Sequence, residues 1–386
     1  MVIHFVIDEK VTDQIIENFS EVDKTCFFLI FSTSDDDSFK YVQNTSDKLI
    51  KFNHEVDDIN AILKTYKATA ILTHAFHLEY AKTILKIKQN LKIAWYIWGF
   101  DVYGLPHIKP STYANTTNNY LLKTLPELKI GRVLLKHQWL RKLFYKLKGE
   151  EDRYTIIFKA LKKVSYFVTY LEGDFKYYSK YYDNNFTYIS CPFSTIDQYL
   201  AGNKDLKLKQ DASNILIGNS NSLESNHVDA FKIINKHGID DNNTTIYVPL
   251  SYGDDLKYKD FVIENGENLL GPSFNPMLDF MDRTAYIEIL RSCSVGVFYH
   301  YRQQAMGNII AMLYLGSRVY LSRNNPSYEF FVSNGILIFD FDEDFKTHKN
   351  KRLEDFEILN NRNKLDLVFN EDRVYNEMTK LLNIIR

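Results

Sequence analysis

Short, nearly continuous apolar runs alternate with helix-patterned segments through the first half of this chain, and after a polar interruption the alternation begins again. The runs at 2–7, 26–31, 69–73, 92–97 and 164–170 are rich in Ile, Val, Phe, Tyr and Leu. Runs of that length with no polar alternation suit strands covered on both faces, as in a parallel sheet. Between them, 11–19, 55–66 and 77–89 carry helical periodicity; in 55–66 the apolar positions are Val56, Ile59, Ile62, Leu63 and Tyr66. Strands that alternate with helices predict a doubly wound α/β domain. The polar stretch 201–213 reads as an interdomain linker. Beyond it, strands are expected at 214–218, 245–249, 294–300, 318–321 and 336–340, and helices at 225–237, at 283–292, from Met306 and over 365–385. The expected architecture is α/β of the GT-B type: two Rossmann-like domains facing a cleft (1–200 and 212–364) and a C-terminal helix (365–386).

Bulk properties narrow the function classes. A chain of 386 residues is long enough for two separate cores. Its formal net charge of −2 lacks the basic excess of a general nucleic-acid binder, so no nucleic-acid partner is expected. The three cysteines, Cys26, Cys191 and Cys293, are far apart, which argues against a disulfide framework or zinc site and fits a reducing compartment. The N-terminus MVIHFVIDEK lacks a basic leader region, and no apolar run approaches the roughly 20 residues of a membrane span. A soluble or peripheral protein is expected.

Four segments at strand ends can carry chemistry. Gly218-Asn219-Ser220-Asn221-Ser222 follows a strand and precedes a helix, where small residues let backbone N–H groups approach a phosphate; a plain βα turn is the simpler reading. Arg302, Gln303, Gln304 and Gly307 follow the strand VGVFYH, where α/β folds bind ligands. Arg302 can pair with a diphosphate and the two glutamines with sugar hydroxyls, against the alternative of a surface salt bridge for Arg302. In Trp95-Tyr96-Ile97-Trp98-Gly99-Phe100-Asp101, a buried strand ends at a glycine, and Asp101 is a candidate general base or simply a turn-fixing carboxylate. His74 and His77, after another strand, are candidates for a base or a phosphate contact. The acidic runs Asp35-Asp36-Asp37, Asp240-Asp241 and Asp254-Asp255 read as solvated turns, and no metal site or cofactor is expected.

One further stretch, 123–163, holds twelve Lys or Arg against four Asp or Glu. Its Leu134, Leu135, Trp139, Leu143, Phe144 and Leu147 interleave with basic residues, as in a helix that lies on anionic lipid; an ordinary helix packed on its own domain is the alternative.

Together these segments resemble glycosyltransferase family 56. Its W-x-I-W-G-x-D-x-Y motif is matched by Trp95, Ile97, Trp98, Gly99, Asp101 and Tyr103. Its I-L-x-G-N-S element is matched by Ile215, Leu216, Gly218, Asn219 and Ser220, with Asn226 and His227 following. V-P-x-x-Y is matched by Val248, Pro249 and Tyr252, R-Q-Q-x-x-G by Arg302, Gln303, Gln304 and Gly307, and the N-P dipeptide by Asn325 and Pro326. The resemblance runs from about residue 70 onward; the first 60 residues match poorly and 108–150 is longer than the family's segment.

The resemblance implies a 4-alpha-L-fucosyltransferase-like hexosyltransferase. It would take a TDP-deoxyaminosugar donor and a polyprenyl-diphosphate-linked saccharide acceptor, in enterobacterial common antigen, O-antigen or a related surface polysaccharide. It implies donor contacts at Gly218, Asn219, Ser220, Pro249, Tyr252, Arg302, Gln303, Gln304, Gly307 and Asn325, with Asp101 and His74 as catalytic candidates. A peripheral site at the cytoplasmic face of the inner membrane, reached through segment 123–163, is expected. The rivals are a GT-B enzyme using UDP- or GDP-sugar with a soluble or protein acceptor, and a non-enzymatic two-domain binding protein. An NAD-linked oxidoreductase is disfavoured, since neither first strand leads into GxGxxG.

Overall fold

The computed structural model describes residues 1–33, 38–124, 137–183, 185–239, 243–253 and 256–386. The three acidic runs and the first part of the basic segment, including Leu134 and Leu135, lie outside the described residues.

The chain forms two compact units. The first carries seven parallel strands: β1 (Val2–Ile7), β2 (Phe27–Phe31), β3 (Leu49–Phe52), β4 (Ala70–His74), β5 (Lys92–Tyr96), β6 (Tyr166–Val168) and β7 (Thr187–Ile189), in the order β3-β2-β1-β4-β5-β6-β7. Successive side chains on a strand point to opposite faces. Thus Ile3, Phe5, Ile71, Trp95 and Phe167 enter one core layer while Val2, Val6, Leu72, Ala94 and Val168 enter the other. Helices Leu78–Lys86 and Arg153–Leu161 cover the first layer, and Thr12–Val22 with Glu371–Ile385 the second. Both faces of the central strands are therefore dry, which is why those strands are largely apolar.

The second unit repeats the plan with six parallel strands: β8 (Asn214–Ile217), β9 (Ile246–Pro249), β10 (Phe274–Met277), β11 (Cys293–Phe298), β12 (Arg318–Leu321) and β13 (Phe339–Asp340), in the order β10-β9-β8-β11-β12-β13. In each sheet the chain leaves the first strand toward one edge and later returns to build outward on the other side. The reversal lies between β1 and β4 in the first unit and between β8 and β11 in the second. Loops leaving the C-terminal ends of such a pair diverge, and the crevice between them is where open α/β sheets receive ligands.

Three strands escape sequence patterning: β3, β7 and β10. All three are edge strands, with the short mixed sequences LIKF, TYI and FNPM. An edge needs only one hydrogen-bonded neighbour and one covered face, so it lacks the continuous apolar run of a central strand.

The unit boundaries also differ from those expected. Residues 109–124 belong to the second unit rather than to a first domain of 1–200. The cause is a pair of buried acceptors. Asn226 Oδ1 takes the Ala114 N–H (2.9 Å), and Asp229 takes the N–H groups of Thr116 (2.7 Å) and Thr117 (3.0 Å). The polar 201–213 stretch is no linker, since its backbone bonds to Leu315 and Arg291 of the second unit; the chain changes unit near residue 194. The expected helix 365–386 is two helices, Asp355–Phe369 and Glu371–Ile385, parted at the extended Asn370. The latter returns to the first unit, where Val374, Met378, Leu381, Leu382 and Ile385 are buried.

Each unit also encloses histidines. His4 and His74 meet ring to ring, Nδ1 to Nε2, at 3.1 Å. His227 and His300 are fully buried in the second unit. Burial drives His4 and His227 down to about 3 and His74 and His300 well below the usual imidazole value. Their pKa is thus depressed on folding, so stability is complete above the unfolded value of about 6.5 and is lost as pH falls below it. Lowering the pH from 7.5 to 5 is expected to cost about 2 kcal/mol for each of His4 and His227, read as the change in urea-unfolding free energy. His4→Phe should flatten that pH dependence; a slope identical to wild type would clear His4 as a source of it.

Candidate functional site

The β8–β11 reversal in the second unit gathers most of the residues expected to bind a donor. β8 is followed directly by Gly218, whose φ of +71° is strained for any residue with a side chain. A Cβ there would also stand 2.7 Å from His227 Nε2. The Gly218 N–H still donates to Val297 O (2.9 Å), so the turn leaves the sheet late. Among the described residues, the Asn219 and Ser220 N–H groups that follow donate to no backbone acceptor, whereas Asn221 N–H reaches Tyr252 O.

Opposite this turn, the chain leaving β11 passes Arg302, Gln303 and Gln304, then takes a left-handed step at Ala305 (φ +61°) into helix Met306–Leu315. The first intrahelical bond runs from Ile309 N–H to Ala305 O, so the N–H groups of Met306, Gly307 and Asn308 are unclaimed by the helix. Gln304 fixes the two loops: its amide nitrogen donates to Asn219 Oδ1 (2.9 Å) and Ser222 Oγ (2.9 Å). That nitrogen is spent inside the protein, whereas the buried Gln304 Oε1 has no partner among the described residues and stays open to a hydroxyl donor.

Arg302 makes no ion pair among the described residues; it donates to Gln303 O (3.2 Å) while its buried Nε lacks a partner. Gln303 Oε1 and the buried Nδ2 of Asn325 are likewise without hydrogen bonds. Unsatisfied buried polar atoms are costly, and several around one crevice mark a place built for a polar guest. Loop amides, helix-end amides and a guanidinium all favour an anion.

Beside this crevice lies a cavity of about 430 Å³ lined by Asn219, Pro249, Tyr252, Phe280, Arg283 and Gly307 among others. That is within the usual range for a small-ligand pocket. Arg302, Gln303, Gln304 and Asn325 do not border it. Its other wall comes from 277–286, after β10, and includes Met277, Phe280, Met281, Arg283 and Tyr286. Sequence reasoning missed these residues because it missed β10; a strand at 274–277 would have put MLDFMDR at a strand's C-terminal end. Among the described residues no group of three or more His, Cys, Asp or Glu is placed to hold a metal ion.

The remaining candidates, Asp101 and His74, belong to the first unit. Gly99, with φ +87°, turns the chain sharply after β5, and Asp101 folds back beneath it. Asp101 Oδ2 accepts from Trp95 Nε1 (2.6 Å), and Oδ1 from the N–H groups of Trp98 (3.1 Å) and Val102 (3.1 Å). This is the turn-fixing geometry, and it explains why the motif spaces two tryptophans and a glycine before the carboxylate. Desolvation nevertheless outweighs those bonds and pushes Asp101 up to about 6. The carboxyl therefore exchanges its proton near neutrality, as a general base requires.

His74 lies deeper than a free base would. It is 3% exposed, bonded to His4 and stacked on Tyr96, and its proton affinity is strongly lowered by burial. It borders a small cavity at the β1–β4 reversal together with Glu9, His77, Trp98 and Phe100. His77 keeps more exposure there.

Comparison with known proteins agrees with this layout. The family described as 4-alpha-L-fucosyltransferase, glycosyl transferase group 56, matches residues 131–360. Among solved structures, the trehalose-6-phosphate synthase OtsA superposes with a TM-score of 0.63 at 11% identity, covering 100% of this chain and 98% of its own. A sucrose-phosphate synthase from Thermosynechococcus elongatus gives 0.61 at 10% identity, with 100% and 98% covered. A glycosyltransferase from Rickettsia africae gives 0.58 at 13% identity, with 100% and 97% covered. The chain has the GT-B fold of these glycosyltransferases.

The two glycines of the crevice should respond oppositely to a methyl group. Gly218→Ala meets His227 and a strained φ, and is expected to cost about 1–3 kcal/mol. Gly307→Ala meets no heavy atom within 4 Å and should leave the melting temperature unchanged. Equal melting temperatures for the two variants would refute the close approach at Gly218.

Proposed function

Because the chain belongs to glycosyltransferase group 56, and is therefore a glycosyltransferase, we propose that it moves a deoxyaminosugar of the N-acetylfucosamine type from a TDP-sugar to a polyprenyl-diphosphate-linked saccharide, in bacterial surface polysaccharide synthesis. What supports this reading is the β8–β11 crevice: the Asn219 and Ser220 amides, the amide end of helix Met306–Leu315 and Arg302, whose buried Nε has no partner among the described residues, all stand on the two loops of one sheet reversal.

In this reading the second unit holds the donor diphosphate. The acceptor hydroxyl gives its proton to Asp101, its oxygen attacks the anomeric carbon, and the bond to the diphosphate oxygen breaks with inversion. TDP departs with the bonding pair. Arg302 and the backbone amides offset the charge that develops on it, in the role a metal ion has elsewhere, so no cofactor is required. Preorganised donors of this kind act most strongly on charge that appears only in the transition state.

Membrane attachment belongs to the same proposal. Among the described residues no helix is long and apolar enough to cross a membrane. Helix Gln138–Leu147, however, has its sides reversed. Arg141 is buried and paired with Asp152 at 2.8 Å, while Trp139, Leu143, Phe144 and Leu147 are exposed beside Lys142, Lys146 and Lys148. Trp139, Leu143 and Leu147 recur every four residues and form one stripe. Apolar residues facing water among lysines suit an anionic bilayer surface at the cytoplasmic face of the inner membrane, where a polyprenyl acceptor resides.

The direct test is incubation with TDP-, UDP- and GDP-sugars and a synthetic polyprenyl-diphosphate saccharide, with mass detection of product. Product only from a TDP-deoxyaminosugar is expected; transfer to a soluble sugar instead would displace the lipid acceptor. Asp101→Asn should abolish transfer yet keep TDP affinity, and wild-type kcat/KM should fall as pH drops through about 6. Arg302→Ala should bind TDP at least roughly tenfold more weakly. Replacing Trp139, Leu143 and Leu147 by Glu should abolish co-sedimentation with phosphatidylglycerol vesicles while leaving the melting temperature intact. Undiminished binding of that variant would rule out the helix as the anchor.

A further inference from the structure

A single exposed apolar side chain is ordinary, but large exposed aromatics gathered at one cavity mark a ligand or partner surface. In the second unit, Phe280 is 79% exposed and Tyr252 is 74% exposed, and both border the cavity beside the anion crevice. They arrive there from different loops. Tyr252 follows β9, and its carbonyl is tied to Asn221 N–H (2.6 Å). Phe280 follows β10, just before the helix Arg283–Ser292 capped by Asp282. The short loop Met277–Asp282 is therefore held at both ends, by its strand and by its capped helix.

The cavity lining is chemically divided. Its lining offers Asn219, Gly307 and Asn308, which can hydrogen-bond to phosphate, an apolar group of Pro249, Met277, Phe280 and Met281, and the polar Ser251, Asp279 and Arg283. A pyrimidine presents two apolar π faces, on which aromatic rings and methionine sulfur pack well, and a polar edge that Ser251, Asp279 or Arg283 can bond.

We infer that Phe280, with Tyr252, forms the nucleobase subsite of the donor pocket, stacking on the base while the crevice holds the diphosphate. This rests on the donor reading above and adds to it the contact that distinguishes a nucleoside diphosphate from a bare diphosphate. Phe280 and Tyr252 act by binding, and they have no part in the bond-making step.

The test measures calorimetric affinity for dTDP and for inorganic pyrophosphate in the wild-type, Phe280→Ala, Phe280→Tyr and Tyr252→Ala proteins. dTDP lacks the transferred sugar, so its loss reads the nucleoside. Both alanine variants should bind dTDP about tenfold more weakly, with pyrophosphate affinity unchanged, and Phe280→Tyr should restore dTDP binding. Phe280→Trp adds an optical check: its indole fluorescence should be quenched by dTDP and not by pyrophosphate. If the wild-type protein binds dTDP and both alanine variants bind it equally well, the stacking subsite is overturned and the donor reading stands. Equal losses for dTDP and pyrophosphate also overturn the subsite, since the variants would then act on the crevice. A wild-type protein that binds no nucleoside diphosphate overturns both.

Discussion

Much of the second unit's geometry is set by one buried amide. Asn226 is fully enclosed and adopts φ +51°, a conformation that Asn tolerates better than most residues. Its Nδ2 donates to Tyr299 O (3.0 Å) and Thr112 O (3.2 Å), and its Oδ1 accepts from Ala114 N–H (2.9 Å). One side chain thus joins the start of the helix after β8, the exit from β11 and the excursion that begins at residue 109. In a dry interior each of those groups would be expensive to leave unpaired. The arrangement of loops at the β8–β11 reversal follows from satisfying them together, and Gln304 repeats the device one layer closer to solvent.

The same crevice concentrates features that oppose stability. Ala305 takes a left-handed backbone, Gly218 leaves no room for a methyl group, and Arg302, Gln303, His227, His300 and Asn325 keep polar atoms without partners. In the first unit, Asp101 holds its proton more tightly than an ordinary carboxyl because desolvation outweighs three hydrogen bonds. Such costs cluster where a site must be ready before its ligand arrives. They are tolerated because both sheets are sealed on two faces by apolar layers, the larger source of favourable free energy.

Site chemistry was partly legible from residue type and position. The turn at Gly218 and the Arg302 segment were visible because each follows a central strand, and central strands of parallel sheets declare themselves by unbroken apolar runs. The 277–286 wall was hidden because it follows an edge strand containing Asn275 and Pro276, which reads as a loop. The reversed helix was legible as basic and amphipathic, but the sequence pattern cannot tell which face the protein covers. That was decided by Asp152, which draws Arg141 inward and leaves Trp139 outside.

What the sequence determined by itself was local and periodic: the alternation of strand and helix, the two-domain α/β class, and the glycines and polar groups at the strand ends. These depend on neighbours a few residues away, so they can be read in one dimension. Tertiary structure alone decided which unit residues 109–124 and 371–386 join, that His74 is an internal partner of His4, and that the Gln304 amide nitrogen ties two loops together. Each of those outcomes depends on a hydrogen bond or apolar contact with a residue distant in sequence. Such a contact exists only once the sheets have brought the two together, and no local pattern records it.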